Sequence, residues 1–93
     1  MFVKIQANKF YNLNEILSIE IKAMVKEYPE SPLRSYIQFK FINRHPDGEI
    51  STVFWYGDDC SHGNDQFKKD IEALYKATHT KMWTEDRQVF KFE

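Results

Sequence analysis

The stretch Arg34-Ser35-Tyr36-Ile37-Gln38-Phe39-Lys40-Phe41-Ile42-Asn43-Arg44-His45-Pro46-Asp47-Gly48-Glu49-Ile50-Ser51-Thr52-Val53-Phe54-Trp55-Tyr56 decides the fold. Its first part sets Ile37, Phe39 and Phe41 against Tyr36, Gln38 and Lys40, the period of two that gives a strand one buried face. Pro46-Asp47-Gly48 then supplies turn chemistry: a preset φ, a side-chain acceptor and a glycine free to be left-handed. Glu49 to Tyr56 returns as the second strand. A loop at His45 to Gly48 makes opposing residue numbers sum to 93, pairing Phe41 with Thr52, Phe39 with Phe54 and Ile37 with Tyr56. The opposite face then carries Tyr36, Gln38, Lys40, Ile42, Ser51, Val53 and Trp55.

Upstream, Val3 and Ile5 alternate with Lys4 and Gln6, and Phe10 to Leu13 follows a turn at Ala7-Asn8-Lys9. Two short strands are expected. From Leu17 to Val25, period two places Leu17, Ile19, Ile21, Ala23 and Val25 on one side, and the isoleucines favour a strand. Paired with Ile21 opposite Phe39, this strand sets Glu20 beside Lys40. Tyr28-Pro29-Glu30-Ser31-Pro32 ends it, since two prolines remove backbone donors.

Downstream, the polar run Gly57 to Asp65 leads into a helix from about Asp65 to Thr78, with Asn64 or Asp65 suited to its positive end. Phe67, Ile71, Leu74 and Thr78 form its inner stripe, with Lys68, Lys69, Glu72 and Lys76 outward or flanking. Met82, Trp83, a polar turn at Thr84-Glu85-Asp86 and a strand from Arg87 to Phe92 follow. The expectation is one compact α+β domain over residues 1–93: a two-layer structure with an antiparallel sheet of four to six strands and one amphipathic helix, in the order strands, helix, strand.

Composition narrows function more than it names it. Thirteen basic residues against 14 acidic ones, a net charge of −1, give no surplus for a polyanionic partner. No apolar run reaches the roughly 18 residues of a membrane helix, and the start MFVKIQANKF lacks the pattern of a secretory signal, so a cytoplasmic protein is expected. Cys60 stands alone and forms no internal disulfide. Eight Phe, five Tyr and two Trp make 16% of the chain aromatic, and these rings have to be placed.

Potential ligands crowd at Asp58, Asp59, Cys60, His62 and Asp65, with His45 and His79 elsewhere. Their spacing does not match a structural zinc site, so no metal or cofactor is expected. Cys60 with His62 suggests a thiolate and its base, but Asp58 and Asp59 oppose thiolate formation. A small metal-dependent or Cys-based enzyme at the 58–65 loop is therefore a remote alternative. The phosphate cradle, nucleophile elbow and metalloprotease motifs are absent, and no catalytic residue is assigned.

Arg34 to Phe41 resembles the aromatic strand of RNA-recognition motifs at Arg34, Tyr36 and Phe41. It departs from that family at Ser35, Ile37 and Gln38, and the order of elements differs. Independently of that likeness, Arg34, Lys40 and Arg44 have no acid between them and form a modest basic edge with Tyr36 as a stacking ring, which gives an alternative function: single-stranded nucleic-acid binding through Arg34, Tyr36 and Lys40.

One helix covers one face of a sheet, which leaves Tyr36, Gln38, Lys40, Ile42, Val53 and Trp55 on the other. Trp and Tyr held by a sheet are frequent anchors of protein interfaces. From Asp47 to Asp65, both included, there are five acids and no Lys or Arg, and Asp58 and Asp59 there offer a second contact region. The leading expectation is a small non-enzymatic protein-binding module, an inhibitor or adaptor, whose partner is another protein or a second copy of itself. The opposing expectation is that the first hairpin or the Met82-Trp83 segment folds over the aromatic face.

Overall fold

A computed structural model describes residues 2–43, 48 and 50–78, together with the backbone of Gln88–Lys91. Residues 44–47, which include His45 to Asp47 of the expected loop, and Glu49, His79, Met82, Trp83 and the segment expected to turn at Thr84-Glu85-Asp86 lie outside the described residues. Five antiparallel strands form two sheets and are followed by a helix that packs on them. Strands β1 (Phe2–Ile5) and β2 (Lys9–Asn12) make a hairpin. A short 3-10 turn at Leu13–Glu15 leads into β3 (Ile16–Lys26), β4 (Leu33–Phe41) and β5 (Ser51–Tyr56), with β4 in the middle of these three. Helix α1 spans Asn64–Thr78, and the backbone of β6 (Gln88–Lys91) runs antiparallel along β3.

The β4–β5 register differs from expectation by one residue pair. Ile37 faces Phe54, Phe39 faces Thr52 and Ser35 faces Tyr56, so opposing numbers sum to 91 rather than 93, and the connection is longer than a four-residue turn. Gly48 within it is left-handed, with φ +87°. A slip of two preserves the parity of both strands, so every residue keeps its face. Strand β3 slips likewise: Ile19 opposes Phe39, Ile21 opposes Ile37, and Glu20 lies opposite Gln38 instead of Lys40.

Two bulges break the alternation of β3. The first, at Leu17, turns Ile16 fully into the core and leaves Leu17 46% exposed, the reverse of the expected order. In the second, Ala23 and Met24 together oppose Ser35, so Val25 pairs with Arg34 on the outer face. An extra residue in a strand has an N–H with no ladder partner. Here the Met24 N–H donates to Ser35 Oγ at 3.1 Å, and Met24 takes a left-handed φ of 55°.

The core gathers Val3, Ile5, Leu13, Ile16, Ile19, Ile21, Ile37, Phe39, Phe41, Phe54, Tyr56, Phe67 and Leu74. Tyr11 is its aromatic hub, with ring centroids 5.4 Å from Phe39, 6.1 Å from Phe41 and 5.5 Å from Phe54. Hairpin, 3-10 turn and helix therefore share the inner face of the larger sheet. The first hairpin does not fold over the opposite face.

Helix α1 begins one residue earlier than expected. The Gly63 carbonyl accepts the Phe67 N–H at 3.1 Å, which places Gly63 at the cap, with Asp65 in the first turn near the positive end. Its buried residues are Phe67, Asp70 and Leu74, while Ile71 and Thr78 sit half-buried beside them. A carboxylate stands where the apolar stripe was expected to continue.

Candidate functional site

Period two and the observed registers set the outward side chains of the larger sheet in rows across the strands. Lys22, Tyr36 and Trp55 form one row, Glu20, Gln38 and Val53 the next, and Ser18, Lys40 and Ser51 the third. The rings of Tyr36 and Trp55 meet at 5.2 Å with a 59° tilt, a favourable cross-strand aromatic pair. Tyr36 Oη donates to Glu20 Oε1 at 2.5 Å, and Glu20 is 8% exposed. This bond ties the Tyr36 ring to β3 and limits its rotation. Tyr36, Gln38 and Trp55 are half-buried, Lys40 is exposed and Val53 is 40% exposed.

Of the six face residues expected from sequence, these five stand together. Ile42 lies beyond the end of β4, half exposed, with its N–H donating to the Glu15 carbonyl at 2.9 Å.

Arg34 precedes Tyr36 by two residues and continues the same face at its edge. Its guanidinium holds Asp59 with Nη2 to Oδ2 at 2.6 Å and Nε to Oδ2 at 3.2 Å, and its Nη1 reaches Glu27 Oε2 at 2.9 Å. The bond from Arg34 pulls the Asp59 carboxyl below its usual value, and the same bond raises the guanidinium pKa further. A side chain at Gly57 would place its Cβ 3.3 Å from the Arg34 Cγ, so the glycine leaves room for the arginine stem. The cation proposed to meet phosphate is thus met by two carboxylates of its own chain.

Asp58 turns the other way and, with Ser61, His62, Asn64, Asp65 and Lys69, lines an open cleft of about 500 Å³ at the start of α1. Among the described residues no three His, Cys, Asp or Glu side chains converge as a metal site requires. Cys60 directs its thiol to Asp59 Oδ1 at 3.8 Å. Partial burial, then the Asp59 charge, push its pKa up, a setting that opposes thiolate formation.

Sequence reasoning missed a second polar cluster. Asp70, 2% exposed, accepts from Tyr56 Oη at 2.5 Å, from the Gln6 N–H at 3.1 Å and from Gln66 Nε2 at 2.8 Å. Burial, then the hydrogen bond to Asp70, raise the Tyr56 pKa well above the ordinary tyrosine value. The available signal was the position of Asp70 midway between Phe67 and Leu74, on their face of the helix.

Compared with known proteins, the chain matches no family model, no curated protein and no solved structure significantly.

Proposed function

We propose that this chain is a small non-enzymatic protein-binding module, of inhibitor or adaptor type, that docks another protein on the outer face around Tyr36 and Trp55. The cross-strand ring pair, centroids 5.2 Å apart, carries the reading. Two large side chains held by sheet register and by Glu20 lose little conformational freedom on binding, which is what an interface anchor needs. Gln38 and Val53 extend the contact, and Lys22 and Lys40 give its rim positive charge that favours an acidic-apolar partner surface. Among the described residues, hairpin and helix both stand on the inner face and neither covers the Tyr36–Trp55 pair, while Ser18 and Glu20 on the β3 side of the outer face are buried.

The nucleic-acid alternative draws less support, because Arg34 is engaged by Glu27 and Asp59. Trp55→Ala and Tyr36→Ala should each weaken capture of the same partner by ~2 kcal/mol or more with an unchanged circular-dichroism spectrum. Unfolding of both variants, or undiminished capture by both, removes the reading. Binding to oligonucleotides at low salt, weakened by Lys40→Ala, would favour the alternative.

A further inference from the structure

The Phe41 N–H donates to the Ile50 carbonyl at 3.0 Å, which marks these two as a hydrogen-bonded pair. In an antiparallel ladder such pairs alternate with non-bonded ones. The backbone groups of Thr52, Phe54 and Tyr56 therefore point toward β4, and those of Ser51, Val53 and Trp55 point away from it. Among the described residues β5 has a strand on its β4 side alone. Ser51, Val53 and Trp55 thus present an open edge.

One of its carbonyls is occupied. Gln6 Nε2 donates to the Trp55 carbonyl at 3.1 Å, while Gln6 Oε1 accepts from Lys9 Nζ at 3.4 Å and the Gln6 N–H is held by Asp70. Gln6 is 6% exposed and left-handed, with φ 51°. Such turn positions ordinarily take Gly, Asn or Asp. What glutamine adds over asparagine is one methylene of reach.

We propose that Gln6 is an edge guard, occupying the Trp55 carbonyl so that a second copy of this chain cannot add its own β5 to the edge. The second copy is the natural occupant because an antiparallel pair centred on Val53 is two-fold symmetric. Ser51 of each copy would then face Trp55 of the other, and each outer Ser51 N–H would need the Trp55 carbonyl that Gln6 holds. Exposed strand edges are pairing sites that monomeric proteins have to blunt.

The test replaces Gln6 with Asn, which tolerates the left-handed turn and keeps the N–H bond to Asp70 but is too short for Trp55. By light scattering, Gln6→Asn should move with rising concentration toward twice the mass of the wild-type chain. Adding Val53→Pro should restore the wild-type mass, since the lost N–H points away from β4 and breaks no internal bond. Adding Val53→Ala instead should leave the doubled mass, which separates the edge from the side-chain face. A folded Gln6→Asn at wild-type mass overturns the proposal, as does a doubled mass that survives Val53→Pro. A wild-type dimer dissolved by Val53→Pro also overturns it. If Gln6→Asn does not fold, Gln6→Gly carries the same reading, and failure of both to fold makes the residue structural and overturns the guard.

Discussion

The Tyr56 hydroxyl donates to Asp70 Oδ2 at 2.5 Å where both residues are buried, tying the end of β5 to the middle of α1. The same oxygen receives the Gln6 N–H, so strand, helix and hairpin turn meet on one carboxylate. Removing it leaves three donors without their acceptor, and each buried orphan costs about 1–3 kcal/mol. Asp70→Ala should therefore lose about 3 kcal/mol or more in urea unfolding, with the m-value unchanged. Asp70→Asn retains one carbonyl oxygen and should lose roughly half as much. A loss under about 1 kcal/mol for Asp70→Ala would show that water satisfies the donors instead.

Tyr56 gives the fold an alkaline limit. Its folded pKa is raised, first by burial and then by Asp70, whereas an unfolded tyrosine ionises near ~10. A raised folded value means that its stabilisation is complete below about pH 10 and is lost as pH climbs above it. Tyr56→Phe removes the hydroxyl bond, worth about 1 kcal/mol at neutral pH, and should also remove this alkaline decline. Urea unfolding at about pH 8 and about pH 11 checks both, the gap between wild type and variant narrowing at the higher value. A gap that widens there would contradict the assignment.

Much of this fold is legible because period two survives small errors of register. Phe39, Phe41, Phe54 and Tyr56 read as core from their spacing, and a two-residue slip in pairing changed their partners without changing their face. The single extra residue at Leu17 could not be read in the same way. Ile16-Leu17 is apolar at both positions, so composition does not say which one turns inward, and the bulge that decides it depends on β4. Asp70 was hidden for another reason. Its partners, Tyr56 and the Gln6 N–H, lie 14 and 64 positions away, so the acceptor and its donors converge only in the folded chain. Tyr36 and Trp55 could be set on the outer face from sequence, whereas the Glu20 bond that fixes Tyr36 follows from the β3 register.

At the edge of the outer face, Arg34 keeps Asp59 ionised below the usual carboxylate range. A lowered folded pKa stabilises above the unfolded value near ~3.9 and loses that contribution as pH falls through the depressed one. Arg34→Ala should let the Asp59 carboxyl titrate at a higher pH, observable in its carbon chemical shift by NMR. Because Asp59 also raises the Cys60 pKa, Asp59→Asn should speed alkylation of Cys60 at neutral pH. An unchanged alkylation rate would mean that burial alone governs the thiol.

Met24 is a methionine in a backbone conformation that favours glycine, at φ 55° and 54% exposed. Left-handed geometry costs a side-chain-bearing residue about 1–2 kcal/mol, whereas glycine meets no such penalty but loses about 0.5–1 kcal/mol of extra chain entropy on folding. Met24→Ala keeps the strain and surrenders a half-exposed side chain, so it should sit close to wild type. Met24→Gly should be more stable than Met24→Ala by about 0.5–1 kcal/mol in thermal or urea unfolding. The N–H that donates to Ser35 Oγ is present in both variants, so the comparison isolates the backbone. At Val25, one residue on and paired with Arg34 in the ladder, the order should reverse, with alanine above glycine. The same order at both positions would show that the bulge does not hold Met24 left-handed in solution.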